Sequence, residues 1–338
     1  MHDDLNPLRD IMIVVDPSMR HTTAFQRGVE LAKRTGASLT LLVAIFNTAL
    51  ARSGFLDPGL MEKSVEGLLS VRRQWLDNEI VQLQEQGITA HGVVAWYKPA
   101  YEEIARQALE RNPDLVIKDI EPVGKFARAF FTPADWHLMR LCPVPLMLVD
   151  SHSSSYPKKI LAAIDPFDTH AKPARLNDDI LMAARGMAKQ FNAEVHIAHA
   201  YQYLPAEAPV GAEMAYADAN MFKDVRNDHG RQFVAFGEAH GVPEERMHLV
   251  EGHAAEAIAE LANDINADLI VLGTTHRTGL KRILIGSTAE DILGSIRNDV
   301  LVLKPADFTA TLKDELHDSG RDRGFSSSEE SGVQVSPR

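Results

Sequence analysis

Apolar residues recur along this chain in short dense runs, separated by longer stretches with helical spacing. Runs of five to eight residues rich in Val, Ile and Leu predict strands near 11–16, 38–46, 89–96, 114–119 and 144–149, and again near 159–165, 194–201, 246–250, 268–273 and 299–304. The intervening stretches predict helices near 20–35, 57–86, 99–110 and 132–140, then near 174–191, 212–240, 254–264 and 287–296. Few of the strands alternate polar with apolar positions, so they are expected to be buried on both faces. That is the pattern of a parallel sheet covered by helices.

The pattern is written twice. IMIVVDP (11–17) returns as ILAAIDP (160–166), each an apolar run closing on Asp-Pro. RGVELAKRTGASLTLLVA (27–44) returns as RGMAKQFNAEVHIAHA (185–200), and KPAYEEIARQALERNPDLVI (98–117) as GHAAEAIAELANDINADLIV (252–271) at an offset of 154. PVPLMLV (143–149) matches DVLVLK (299–304). The expected organisation is one domain over 8–150, a polar linker at SHSSSYP (151–157), a second domain over 158–307 and a polar tail over 312–338 too poor in apolar residues to order itself. Right-handed crossovers make a five-stranded doubly wound α/β sheet the natural topology of each copy. The last strand of each copy is expected at a sheet edge, and two such edges on one chain are expected to cover each other, packing the halves as an intrachain pseudo-dimer.

Composition narrows the function. A 45% apolar and 24% charged chain of 338 residues is that of a soluble globular protein, and no apolar run exceeds LTLLVAIF (39–46), well short of the roughly 18–20 residues of a membrane span. No membrane association is expected. The net charge of −12 repels a phosphate backbone, so direct nucleic-acid binding is not expected either. His276, Arg277, Lys281 and Arg282 form a small basic cluster suited to a small phosphorylated ligand. A single cysteine, Cys142, reads as a buried thiol and fits the reducing cytoplasm. His196 and His199 stand three apart in a strand and point to opposite faces, and no cluster has zinc spacing, so no metal is expected. The aromatic residues Trp75, Trp96, Trp136, Phe126, Phe130 and Phe131 read as core rather than as a stacking platform.

Chemistry is expected beyond the carboxyl ends of the strands. In the second copy Asp165 ends the first strand, Gly273 ends the fourth, and Gly286-Ser287-Thr288 opens the last helix, whose free N–H groups attract an anion. The same residues also suit a plain helix cap and a turn glycine. In the first copy the corresponding positions are Asp119, Thr132 and Pro133, with Pro122 opposite His276. A carboxylate replaces the glycine there and Pro133 removes a donor, while Thr132-Pro133 still caps a helix. No nucleophile elbow or P-loop occurs, and no enzyme is expected.

The stretch from DLIVLGT to GSTAEDIL, the tandem units and FTPADWHLMRLCPVP (131–145) together resemble the universal stress protein family, in its tandem-domain E type, over roughly 8–308. The resemblance implies Rossmann-like domains of the adenine nucleotide alpha hydrolase-like kind. Its nucleotide binders carry G-x2-G-x9-G-[S/T], and this chain matches at Gly273, Gly286 and Ser287, with His276 in place of the middle glycine. A histidine needs space that glycine does not, yet it also donates to phosphate. By position the family implicates Asp165, Ala200, Gly273, His276, Gly286, Ser287 and Thr288 in holding ATP or another adenine nucleotide. It further implies a cytoplasmic role in survival under stress, including DNA damage, exercised through protein partners. Two other readings stand beside it. One is a carrier of a lipid-like or nucleotide-sugar ligand beneath the long second helices; the other is a weak ATP hydrolase.

Overall fold

The computed structural model describes residues 8–46, 50, 58–120, 130–150, 153, 156–166, 174–202, 219–274, 287–305 and 308. The chain divides after Ser155 into two compact units. The expected linker residues 151, 152, 154 and 155, and the expected tail over 312–338, lie outside the described residues.

The first unit runs β1 (Asp10–Val14), α1 (Thr23–Thr35), β2 (Ser38–Ile45), α2 (Pro58–Glu85), β3 (Ala90–Trp96), α3 (Ala100–Arg111), β4 (Leu115–Asp119), α4 (Pro133–Leu141) and β5 (Leu146–Val149). Its strands lie in the order β3-β2-β1-β4-β5, and every pair in this unit is parallel. The chain leaves β1 toward β2 and β3, then returns to the other side of β1 for β4 and β5. That reversal places the switch point between β1 and β4.

The second unit repeats this with β6 (Lys159–Ala163), α5 (Ala174–Phe191), β7 (Glu194–Tyr201), α6 (Ala219–Ala239), a single 3-10 turn at Glu244–Arg246, β8 (Met247–Glu251), α7 (Ala254–Asp264), β9 (Leu269–Gly273), α8 (Ser287–Ser295) and β10 (Asp299–Leu303). Its order is β8-β7-β6-β9-β10, again parallel, with the switch point between β6 and β9. The α/β class and the doubly wound topology expected from the hydrophobic pattern are what the chain adopts.

Burial explains why the runs lacked alternation. Ile11, Ile13, Leu39, Leu41, Leu42, Val116 and Ile117 are wholly enclosed, as are Ile160, Leu161, Leu269, Ile270 and Val271 in the second unit. β3 and β8 are the exceptions, with half-buried or exposed positions through most of their length. Aromatic residues do join the packing, Phe131 meeting Trp136 edge-on at 5.9 Å between centroids, and Phe25 meeting Trp75 at 6.3 Å. Phe126 lies outside the described residues. Helix ends follow the local sequence. Thr22 caps α1 by accepting from the Phe25 amide, and Gly36 closes it in the left-handed region at φ 75°.

Candidate functional site

Of the expected residues, Asp165, Ala200 and Gly273 lie at or just past the ends of neighbouring strands of the second unit. β6 ends at Ala163, and Asp165 follows two residues later, beside the end of β9, where Ala163 is in register with Leu272. Asn177 on α5 fixes this turn from both sides. Its Oδ1 accepts from the Asp165 amide at 3.0 Å, and its Nδ2 donates to the Asp165 carbonyl at 2.8 Å. The backbone is thus held while the side chain stays 62% exposed. Ala200 is the penultimate residue of β7, half-buried, on the strand next to β6. Ser287 opens α8 and Thr288 follows it, exposed. His276 and Gly286 lie outside the described residues.

Gly273 closes β9, and its missing side chain has a structural cause. A Cβ there would stand 2.8 Å from Leu176 Cδ2 and 3.0 Å from Ile180 Cδ1, both on α5. The glycine lets α5 settle against the strand. The sequence offered a ligand-approach and a turn-glycine reading of this position, but not this one, because contact with a helix nearly a hundred residues earlier has no local signal.

The first unit has closed the equivalent end with its own charges. At an offset of 154, Leu272 corresponds to Lys118, Gly273 to Asp119 and Ala289 to Asp135. Lys118 Nζ lies 3.0 Å from Asp135 Oδ1 and donates to the Asp119 carbonyl at 2.8 Å, and Asp135 is fully buried. Asp135 Oδ2 accepts from the Thr132 amide at 2.9 Å and hydroxyl at 2.8 Å, while Thr132 Oγ1 accepts from the Asp135 amide, a complete capping box. The first turn of α4 therefore already holds an internal carboxylate. The expected Thr132-Pro133 cap is present; the part played by Lys118 and Asp135 was not visible in the sequence. Asp119 turns its carboxylate to α1 instead, accepting from the Ala24 amide at 3.0 Å. Burial, chiefly, lifts its pKa above the ordinary range.

Asp16, after β1, is bound differently from its counterpart Asp165. The Ser18 amide donates to it at 2.7 Å, the Ser18 hydroxyl donates to the same oxygen, and Arg20 reaches it at 3.2 Å. Partial burial pushes its pKa up, but these donors outweigh it and hold the group below its ordinary value.

Sequence reasoning separated His196 from His199 and went no further. The structure pairs each of them. His199 is buried on the α6 side of β7, with Nδ1 3.2 Å from the Ile164 carbonyl and Nε2 2.8 Å from His229 Nδ1 on α6. The two rings stack at 5.1 Å, and Tyr201 stacks on His229 at 5.4 Å. The His199 ring also brings Nδ1 within 3.9 Å of Asp165 Oδ1. Burial is the main force holding His199 below its usual pKa, with Asp165 opposing it and His229 reinforcing it. On the other face His196 Nδ1 meets His248 Nε2 at 2.9 Å, and burial likewise depresses both. Among the described residues, no group of three or more His, Cys, Asp or Glu side chains is placed to hold a metal ion, and no helix is long and apolar enough to cross a membrane.

Two tandem five-stranded doubly wound units of parallel strands and covering helices define an α/β protein of duplicated design. The chain belongs to the Universal stress protein family, whose model matches residues 7–150 and 157–304. It is similar to Universal stress protein E of Escherichia coli, 28% identical over 316 residues that cover 93% of this chain and 99% of that one. The Universal stress protein E homolog of Haemophilus influenzae is 25% identical over 303 residues, covering 88% and 98%. Among solved structures, a functionally unknown protein of Pseudomonas aeruginosa superposes with a TM-score of 0.73 at 25% identity, covering 92% of this chain and 98% of its own. A universal stress protein of Archaeoglobus fulgidus shares the fold at a TM-score of 0.55 and 18% identity, covering 87% and 98%. The names of these relatives carry a stress role or no function, and no enzymatic activity.

Proposed function

We propose that this chain is a cytoplasmic, non-catalytic stress protein whose second unit binds ATP or a related phosphorylated ligand and whose first unit does not. Asp165 and Ala200 receive the base and ribose side. Gly273, His276, Gly286, Ser287 and Thr288 surround the phosphates at the start of α8, where unpaired amides and the helix dipole favour an anion. The ligand state is passed to protein partners, and the outcome is survival under stress, including DNA damage, without contact with DNA.

One observation supports this reading above the others. The buried Lys118–Asp135 pair that fills the first turn of α4 has no counterpart at the matching positions of the second unit, which are Leu272 and Ala289. The same fold therefore carries an anion of its own in one copy and none at that place in the other. The Asp165 carboxylate fits a hydroxyl or amino donor of a nucleoside, since its backbone is fixed and its side chain is exposed.

Native mass spectrometry of protein purified from its own cell tests the proposal. Adenine nucleotide on the chain supports it, and an acylated or sugar-nucleotide ligand in its place overturns the nucleotide assignment. Steady phosphate release with magnesium would overturn the non-catalytic reading. Titration calorimetry of variants then locates the site. Gly286→Asp is expected to abolish ATP binding by placing charge against the helix end, and retained binding puts the ligand elsewhere. His276→Gly is expected to tighten binding if that side chain alone obstructs the loop.

A further inference from the structure

Helix α2 is apolar on two sides. Leu69, Leu76 and Leu83 recur every seven residues and are buried, Leu76 against Gly92 of β3. The outer side carries apolar side chains as well. Among the described residues seven large hydrophobic side chains are exposed, and Leu60, Val71 and Val81 of α2 are three of them, each more than half exposed. A helix with one core to face needs one apolar side, so the second side fits a second neighbour.

The outward line of α2, followed in steps of four and three residues, runs from Lys63 through Gly67, Gln74 and Val81 to Glu85, all exposed. Its spacing is the same in both directions from Gln74, and its ends are opposite in charge. An identical helix, turned about a two-fold axis at Gln74, therefore lies antiparallel with its Glu85 against Lys63 and its Val81 against Gly67. Ser70 then meets Asn78, and no like charges are opposed, since Glu66 faces Gln82 and Asp77 faces Val71. Gly67 has room for this. A Cβ there would meet nothing within 4 Å, so no contact inside the chain requires a glycine that costs about 1 kcal/mol against alanine in mid-helix. The end charges also oppose the dipole of their own helix. Glu85 is the last residue of α2, where an anion is disfavoured, and the helix has no acidic residue in its first turn and no basic one in its last. Glu66, one turn from Lys63, is engaged at 2.6 Å by Arg73. An antiparallel neighbour gives Lys63 and Glu85 an opposite charge each and sets a reversed dipole beside them.

We propose that the outer side of α2 docks a second copy of this chain, the two helices pairing antiparallel about a two-fold axis at Gln74. The end charges set direction and register, while Val81 fills the space over Gly67, with Val71 one turn away. The contact is one helix wide, so the dimer is weak and reversible rather than obligate. None of the residues assigned to a nucleotide takes part, and the pairing does not rest on that reading.

Analytical ultracentrifugation of the full chain tests it. Wild type is expected to dimerise reversibly with a Kd on the order of 10–100 μM. Lys63→Glu and Glu85→Lys should each weaken the dimer by about five- to tenfold, and the two together should restore it. Both reversals suit the helix dipole better than the native residues, so a lost dimer is not a lost helix. Cys142 is buried, which leaves an introduced thiol to report the register. Gln74→Cys should link two chains on mild oxidation, because a residue on the axis meets its own image. Lys63→Cys, roughly 33 Å along the helix from its image, should not. A chain that stays monomeric through that concentration range overturns the proposal, as does a dimer indifferent to both single reversals or not restored by the double one. A Gln74→Cys protein that dimerises yet links no faster than Lys63→Cys overturns it too.

Discussion

At position 119 a carboxylate, and at position 273 a glycine, close the same strand in the two units, and each is fixed by a neighbour the sequence does not announce. Gly273 faces Leu176 and Ile180 on α5, so Gly273→Ala forces one of them off its rotamer. The expected cost is about 1–3 kcal/mol, read as a lowered urea midpoint with little change in slope. In the first unit the Lys118–Asp135 pair is buried and multiply bonded. Lys118→Met should cost about 3–5 kcal/mol, because it strands a buried carboxylate. The double change Lys118→Leu with Asp135→Ala installs what the second unit already has, and should recover most of that loss apart from about 1 kcal/mol for the missing cap. A double change as costly as the sum of the two single ones would show that the pair does not act as a unit.

Strand β7 shows what an element adds to its residues. Its period of two sends His196 and His199 to opposite faces, and each finds a histidine from a neighbouring element, β8 or α6. Three of these four rings have pKa values depressed mainly by burial. Around His196, Glu194 opposes the depression while Arg246 and Lys159 add to it; His248 is depressed further by His196. A histidine depressed in the folded state is protonated first in the unfolded chain. Its contribution is therefore complete above the unfolded value, near 6.5, and is lost as pH falls below it. Equilibrium unfolding of the full chain should lose stability between pH 7 and 5, by up to about 1.4 kcal/mol per pH unit for each such group. Replacing His196 and His248 together by Gln and Leu should flatten part of that slope, which denaturant midpoints at each pH would reveal.

On the scale of the whole chain, duplication has produced one fold with two different strand-end mouths. The first is occupied by Asp135 and bordered by Asp119, whose pKa burial raises; the second presents Asp165 to solvent and opens α8 with Ser287. Calorimetry with ATP should accordingly return one site per chain rather than two. Asp165→Ala should weaken that site by about tenfold or more, the worth of a charge-assisted hydrogen bond to a nucleoside, whereas Asp16→Ala should leave it unchanged. Two equal sites, or loss of binding in Asp16→Ala alone, would reverse the assignment of roles.

The hydrophobic pattern by itself determined the strands, the helices, their doubling and the winding of each sheet, because those follow from local periodicity and from connections that have a single favoured hand. It also placed Asp165, Ala200 and Gly273 at strand ends and Thr132 at a helix cap, since chain position alone decides which end of a parallel strand faces the mouth. What it did not determine were contacts between residues far apart in sequence: Gly273 against Leu176, Asp119 on the Ala24 amide, His199 on His229. These depend on how closely helices settle on the sheet and on which polar atoms are then cut off from water. That is a property of three-dimensional packing, and no pattern along the chain encodes it locally.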